Sequence, residues 1–189
     1  MVEDLPELHA EALEHTRALI AGIGDQQWHD PTPCTEWDVR QLVNHIVAEN
    51  LWVRPLVDGQ TIEEVGSRFD GDQLGDDPLA AYDRSAAEAA AAFREPGAME
   101  RPVAVSYGPV PGAVFAGHRL VDVVVHGWDV AKATGQDTRI DPRLVEACYA
   151  DVEPQADALE ASGYFGTRVP VPDDADLQTK LLALLGRRA

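Results

Sequence analysis

The sequence predicts an all-α protein, a four-helix bundle with long crossovers and a small C-terminal helical extension. Three observations predict it. Apolar residues recur at helical spacing along the chain. An alanine-rich run over residues 79–93 has strong helix propensity. The uninterrupted segment 114–134 is far longer than an ordinary strand.

The elements follow in order. A first helix is expected over residues 5–23, where Leu5, Leu8, Ala12, Leu13, Leu19, Ile20 and Ile23 keep helical spacing. Gly22 and Gly24 mark its end. The turn-rich stretch Asp30-Pro31-Thr32-Pro33-Cys34 comes next. A second helix is expected to open at Thr35, an N-cap with Asp38 three residues on, a capping box with Asp in place of Glu. Acidic Glu36 and Asp38 suit the positive end of its dipole. It should run to about Val57, with Pro55 kinking or ending it.

Residues 58–77 are polar and hold Gly59, Gly66, Gly71 and Gly75, so they read as a long connection with a short helical turn at 62–65. A third helix follows Pro78 and is stopped by Glu95-Pro96-Gly97. RPVAVS at 101–106 is a candidate extended segment, and YGPVPG at 107–112 is expected to be a loop that can line a site mouth. A fourth helix should begin near Pro111 and end at Thr134, with Lys132 in its last turn and Gly135 after it. LVDVVV, residues 120–125, would be a strand by β propensity alone, but the length of the segment decides for helix. A helix this apolar should be buried on most sides. A further helix over 142–161, a strand-like piece over 163–172 and a last helix over 174–185 complete the chain. Residues 1–137 are thus expected to form the bundle, and 138–189 an extension packed on it.

The chain has 189 residues, 15 Lys plus Arg and 33 Asp plus Glu, for a formal charge of −18. Phosphate binding needs a basic face, so this balance excludes nucleic acid as the expected partner. It also disfavours anionic membrane surfaces. No stretch reaches the roughly 18 apolar residues of a membrane-spanning helix. The acidic start MVEDLPELHAEALEH has no apolar signal core. Two cysteines, Cys34 and Cys148, are too few for a disulfide framework. The expected compartment is the cytoplasm, the expected partner a small-molecule substrate, and a homodimer is compatible with these features.

Asp122 and His126 interrupt the apolar fourth helix at i, i+4. On a helix they share a face, roughly 6 Å apart at Cβ, within reach of one metal ion. On a strand they would stand about 13 Å apart, too far to chelate. In the second helix, Leu42, His45, Glu49, Trp52 and Leu56 form a stripe beside the core stripe of Val39, Val43, Ile46, Asn50 and Val53. His45 can therefore point into the bundle. Imidazole and carboxylate are competent ligands for zinc and similar divalent ions, and three protein ligands leave an open coordination position. A buried Asp–His pair without metal fits the same spacing.

PTPCTEWDVRQLVNHIVAEN at 31–50 and HRLVDVVVHGWDVAKATGQD at 118–137 resemble the actinobacterial metal-binding branch of the DinB-like superfamily, related to the mycothiol-dependent maleylpyruvate isomerases. The resemblance spans most of the chain, including PGAVFAGHR and the terminal LLALLGRRA. It implies a DinB-like four-helix bundle and a His, carboxylate, His metal site. The corresponding residues are His45, Asp122 and His126. It further implies a divalent metal, most readily Zn²⁺, and mycothiol as cosubstrate of a thiol-dependent transferase or isomerase. Two departures stand out. The isomerase pattern has Glu where this chain has the shorter Asp122. The isomerases also carry a larger C-terminal domain than the roughly fifty residues after Asp137. A non-catalytic metal or small-ligand binding protein on the same bundle is the alternative, and a helical interaction protein without metal a third.

Neighbouring residues have assigned expectations. Asp129, three after His126, can orient a ligating imidazole or lie at the surface. Arg119 can pair with Asp122 or with an anionic substrate. Glu49 can serve as a base or a further ligand. His118, four before Asp122, is expected to be a non-ligand. Cys34 lies near a helix N-terminus, where a thiol can be activated, but reads more simply as a small turn residue. Trp37 and Trp52 are expected in the core or the site wall. His9, His15 and His29 lack partner spacing and are expected at the surface.

Overall fold

The computed structural model describes residues 4–163 and 165–189. Residues 1–3, the start of the acidic N-terminal segment, and Tyr164, inside the extended piece expected over 163–172, lie outside them. The chain divides into two compact units, one up to Thr138 and one spanning Arg139–Ala189.

The first unit contains α1 (Leu5–Ala21), α2 (Val39–Val57), the short α3 (Ile62–Val65), α4 (Pro78–Phe93), a hairpin of β1 (Pro102–Val105) and β2 (Gly108–Pro111), and α5 (Gly112–Thr134). Both α1 and α2 pack against α4 and α5, which closes a four-helix ring. This is the helical, DinB-like architecture expected from the sequence. Among the described residues, no helix is long and apolar enough to cross a membrane.

The buried stripe of α1 runs Leu8, His9, Ala12, Leu13, Thr16, Leu19 and Ile20. That of α2 runs Val39, Leu42, Val43, Ile46, Val47, Asn50 and Val53. Most of α5 is buried, as its composition predicts. One apolar cluster of the core is built from Val53, Leu56, Val57, Ala89, Phe93, Ala98, Val103 and Phe115. Two glycines allow close approach. A Cβ at Gly112 would stand 1.8 Å from the Ala98 carbonyl oxygen, and one at Gly127 would stand 2.6 Å from Thr16 Oγ1. Gly127 thus lets α1 lie against α5 beside His126.

The second helix begins three residues later than expected. Asp38, not Thr35, is its N-cap: the carboxylate accepts from Gln41 N–H at 2.8 Å, and Gln41 Oε1 accepts from Asp38 N–H at 2.9 Å. Glutamine reaches back where the shorter Asp38, placed third after Thr35, would not. The preceding loop supplies the remaining partners. Val39 N–H donates to Asp30 O and Arg40 N–H to Trp28 O, at 3.1 and 2.8 Å. Four amides at this helix start are thereby satisfied. The loop is held by Thr32, whose hydroxyl accepts from Cys34 N–H at 3.1 Å and lies 2.8 Å from Trp37 O. Pro55 sits in the last turn of α2, which ends at Val57.

Residues 107–112 are not a plain loop. Gly108–Pro111 pairs antiparallel with Pro102–Val105 around the two-residue turn Ser106-Tyr107. Prolines are tolerated here because a two-stranded ribbon consists only of edges. Gly112 then leads directly into α5, and Gly135, left-handed at φ 69°, ends it.

In the second unit, the single helix expected over 142–161 is broken. It forms α6 (Pro142–Val152), a 3-10 turn at Glu153–Gln155 and α7 (Ala156–Ser162). Pro154 explains the break, since it removes an amide donor and crowds the preceding turn. The described residues of 163–172 form no strand. The last helix, α8 (Leu177–Leu184), starts later than expected because Asp176 caps it through Thr179 N–H at 2.9 Å.

Candidate metal centre

The site is built where α2 faces α5. His45 and Glu49 project from α2, one helical turn apart. Arg119, Asp122, His126 and Asp129 project from α5 at three- and four-residue intervals. Asp122 Oδ1 lies 3.6 Å from His45 Nε2 and 3.5 Å from His126 Nε2. All three atoms lie within 4.8 Å of one another. Ligands at 2.0–2.1 Å from a tetrahedral ion stand about 3.3–3.4 Å apart. These two separations therefore need only tenths of an ångström of closure, and the shorter Asp122 reaches far enough.

The carboxylate of Asp122 has divided roles. Its Oδ2 accepts from Arg119 Nη2 at 2.6 Å, leaving Oδ1 for the imidazoles. Arg119 Nη1 donates to Glu49 Oε2, also at 2.6 Å, and so ties α2 to α5. Arg119 is therefore paired with both carboxylates. Burial alone would push the Asp122 carboxyl up, but Arg119, then His126 and His45, outweigh it and hold the group well below the usual carboxylate range. Asp122 is an anion at neutral pH.

His126 is oriented from its other side. Asp129, 0% exposed, accepts from His126 Nδ1–H at 3.1 Å. A carboxylate can only accept, so the ring carries a proton on Nδ1, which leaves Nε2 as the nitrogen available to an ion. Asp129 is thus a buried orienting group and not a surface residue. The same Oδ2 accepts from the Cys34 thiol at 3.2 Å. Trp37, carried by the same loop, stacks on His45 with ring centroids 4.6 Å apart and a 30° tilt. It is a wall of the site. Trp52 instead meets Phe69 edge-on, 6.0 Å away.

His118 lies one turn before Asp122 but outside this group, with Nε2 3.2 Å from Tyr107 Oη. Of two other histidines expected at the surface, His9 is not there and His29 is. His9 is fully buried against Phe93, because it falls on the core stripe of α1. His29 is exposed but pairs with Asp38 at 3.0 Å. Cys34, read from sequence as a small turn residue, stands 3.8 Å from His126 Nδ1. Its partners are more than ninety positions away, and the signal nearest to a clue is the proline-stiffened stretch that folds it back.

The family model described as the mycothiol maleylpyruvate isomerase N-terminal domain matches residues 9–131. Two Mycobacterium tuberculosis proteins, Uncharacterized protein MT0763 of strain CDC 1551 / Oshkosh and Uncharacterized protein Rv0738 of strain ATCC 25618 / H37Rv, are each 35% identical to the chain over 188 residues, covering 95% of both partners. No solved structure matches. The matched span covers α2 and nearly all of α5, and with them His45, Asp122, His126 and Asp129, so the chain belongs to the family of the mycothiol maleylpyruvate isomerase N-terminal domain.

Proposed function

We propose that the chain binds one divalent ion through His45 Nε2, Asp122 Oδ1 and His126 Nε2, and uses it in a thiol-dependent transfer or isomerisation of a small electrophile. The observation that carries the reading is the convergence of three ligand atoms of suitable type from two facing helices, each already oriented by a partner. When bound, the ion would supply Lewis acidity and favour the thiolate form of a coordinated thiol. Zn²⁺ suits this nitrogen and oxygen donor set, and mycothiol is the thiol that the family's description suggests.

The chain's own residues prepare the site. Asp129 fixes the His126 tautomer. Arg119 holds the Asp122 carboxylate in place by one oxygen and leaves the other facing the imidazoles. Trp37 covers His45 on one side and limits its access to water. Glu49, engaged by Arg119, anchors the two helices and is not placed as a ligand.

The test is metal content per chain by elemental analysis, on untagged protein purified without added metal, beside His45→Ala and His126→Ala. About one ion per chain, lost in both variants, supports the site. Consumption of a low-molecular-weight thiol with an electrophile then separates an enzyme from a binding protein. Equal Mn²⁺ content in wild type and His45→Ala, after loading with that ion, sinks the reading.

A further inference from the structure

His126 has a second nitrogen, and it faces a second set of ligand atoms. Nδ1 lies 3.8 Å from Cys34 Sγ and 3.1 Å from Asp129 Oδ2, and Cys34 Sγ lies 3.2 Å from that same oxygen. We propose that Cys34, Asp129 and Nδ1 of His126 form a second cation site, selective for thiophilic ions, which competes with the first site for His126. The competition rests on the function proposed above; the existence of the second site does not.

The geometry suits an ion. Zinc-like ions take sulfur at about 2.3 Å and nitrogen or oxygen at about 2.0–2.2 Å, so ligand atoms stand roughly 3.3–3.7 Å apart. The three observed separations bracket that range. The three atoms lie within 4.8 Å of one another.

The ligands are held in advance. His126 and Asp129 sit three residues apart on α5, both buried. The backbone of Cys34 is fixed by Thr32 Oγ1, which accepts from its N–H, and by Trp37 N–H, which donates to its carbonyl at 2.8 Å. Without an ion, two hydrogen bonds onto Asp129 Oδ2 keep the group assembled. A cation takes the place of those two protons.

The donor set differs from the first one. His45, Asp122 and His126 offer only nitrogen and oxygen. The second group adds a thiolate, the ligand that selects soft ions. The proton balance is simple. The thiol loses its proton to solvent, and the ring proton moves from Nδ1 to Nε2.

That shift creates the competition. A neutral imidazole has one lone pair, so a ring that ligates through Nδ1 carries N–H at Nε2. This N–H then faces Asp122 Oδ1, 3.5 Å away, as a donor. The first site is left with His45 and Asp122 alone. A soft ion on the inner face of His126 would thus displace a harder one from the outer face.

The test is titration of the full chain with Cd²⁺ under a non-coordinating reductant, followed by thiolate-to-cadmium charge-transfer absorption. Wild type and His45→Ala should develop the band at one ion per chain. Cys34→Ser should not develop it. In wild type preloaded with Mn²⁺ or Co²⁺, cadmium should release the first ion, and in Cys34→Ser it should not do so through this route. No band in wild type overturns the second site. So does a band that survives in Cys34→Ser, which would assign it to Cys148, the buried thiol whose proton affinity is pushed up to about 12. Two ions held together per chain overturn the competition. Equal Mn²⁺ or Co²⁺ binding by wild type and His45→Ala, with the cadmium band intact, would overturn the first site while leaving the second standing.

Discussion

The bundle interior around His126 and the interior around His9 contain equally hidden imidazoles with opposite surroundings. His9 is 0% exposed and His126 6%. The ring of His126 is met by Asp122, Asp129 and Cys34 and faces His45. The ring of His9 rests edge-on against Phe93, and among the described residues neither of its nitrogens has a hydrogen-bond partner. Burial, followed by repulsion from Arg119 and Arg94, pushes His9 down to about 3. It is a neutral filler in the core. The difference teaches that burial alone does not mark a functional histidine; the partners that stay with it do.

Four changes break or sharpen this contrast. Arg119→Ala has the largest expected effect. It leaves Asp122 buried without its cation, and breaking one side of such a pair costs about 3–5 kcal/mol. Denaturant unfolding measures it, and a loss under about 1 kcal/mol would mean that the pairing is solvated.

Asp129→Ala comes next. Losing the orienting carboxylate should weaken ion binding about 10- to 100-fold, read by competition with a chelator. His9→Leu, the matching change in the partnerless region, should leave that affinity unaltered.

His9→Leu should act on acid stability instead. The folded state keeps His9 neutral down to about 3, whereas the unfolded chain protonates near 6.5. Stability is therefore full above the unfolded value and falls as pH drops through the window between them, by about 1.4 kcal/mol per unit from this group. Melting curves at pH 7 and 5 should show a smaller acid loss in the variant. An unchanged loss would locate acid sensitivity elsewhere.

Asp38→Ala is the mildest change. Removing this cap should cost about 1 kcal/mol. Because the same loop carries Cys34 and Trp37, the near-ultraviolet signal of Trp37 should change together with stability.

Much of this was legible in the sequence. The limits of α5 followed from Pro111 and Gly135, and the pairing of Asp122 with His126 from a four-residue interval that only a helix makes useful. His45 was placed by its stripe on α2. Local pattern failed where the deciding contact was distant or where two local signals overlapped. Thr35 reads as the cap and Asp38 as its partner three residues on, whereas the reach of Gln41 makes Asp38 itself the cap. The prolines of 107–112 suggested a loop because the lone-ribbon context that tolerates them cannot be seen locally. Cys34 offered no interval at all, since His126 and Asp129 lie on another helix. His9 was misplaced for a different reason. Its spacing from Leu5 and Leu13 puts it on the buried face, but the lack of a partner at ligand spacing argues for the surface.

The hydrogen bonding at the start of α2 has a consequence for substrate charge. Helix N-termini commonly receive anions, yet here the first amides are already taken by Asp30 O, Trp28 O and the side chains of Asp38 and Gln41. Arg119, the guanidinium that touches the triad, is neutralised by two carboxylates. A negatively charged reactant approaching the triad of this strongly acidic chain would therefore find its attractive pole in an ion bound there as proposed above. Metal loading would then govern whether such a reactant binds, quite apart from how fast it reacts.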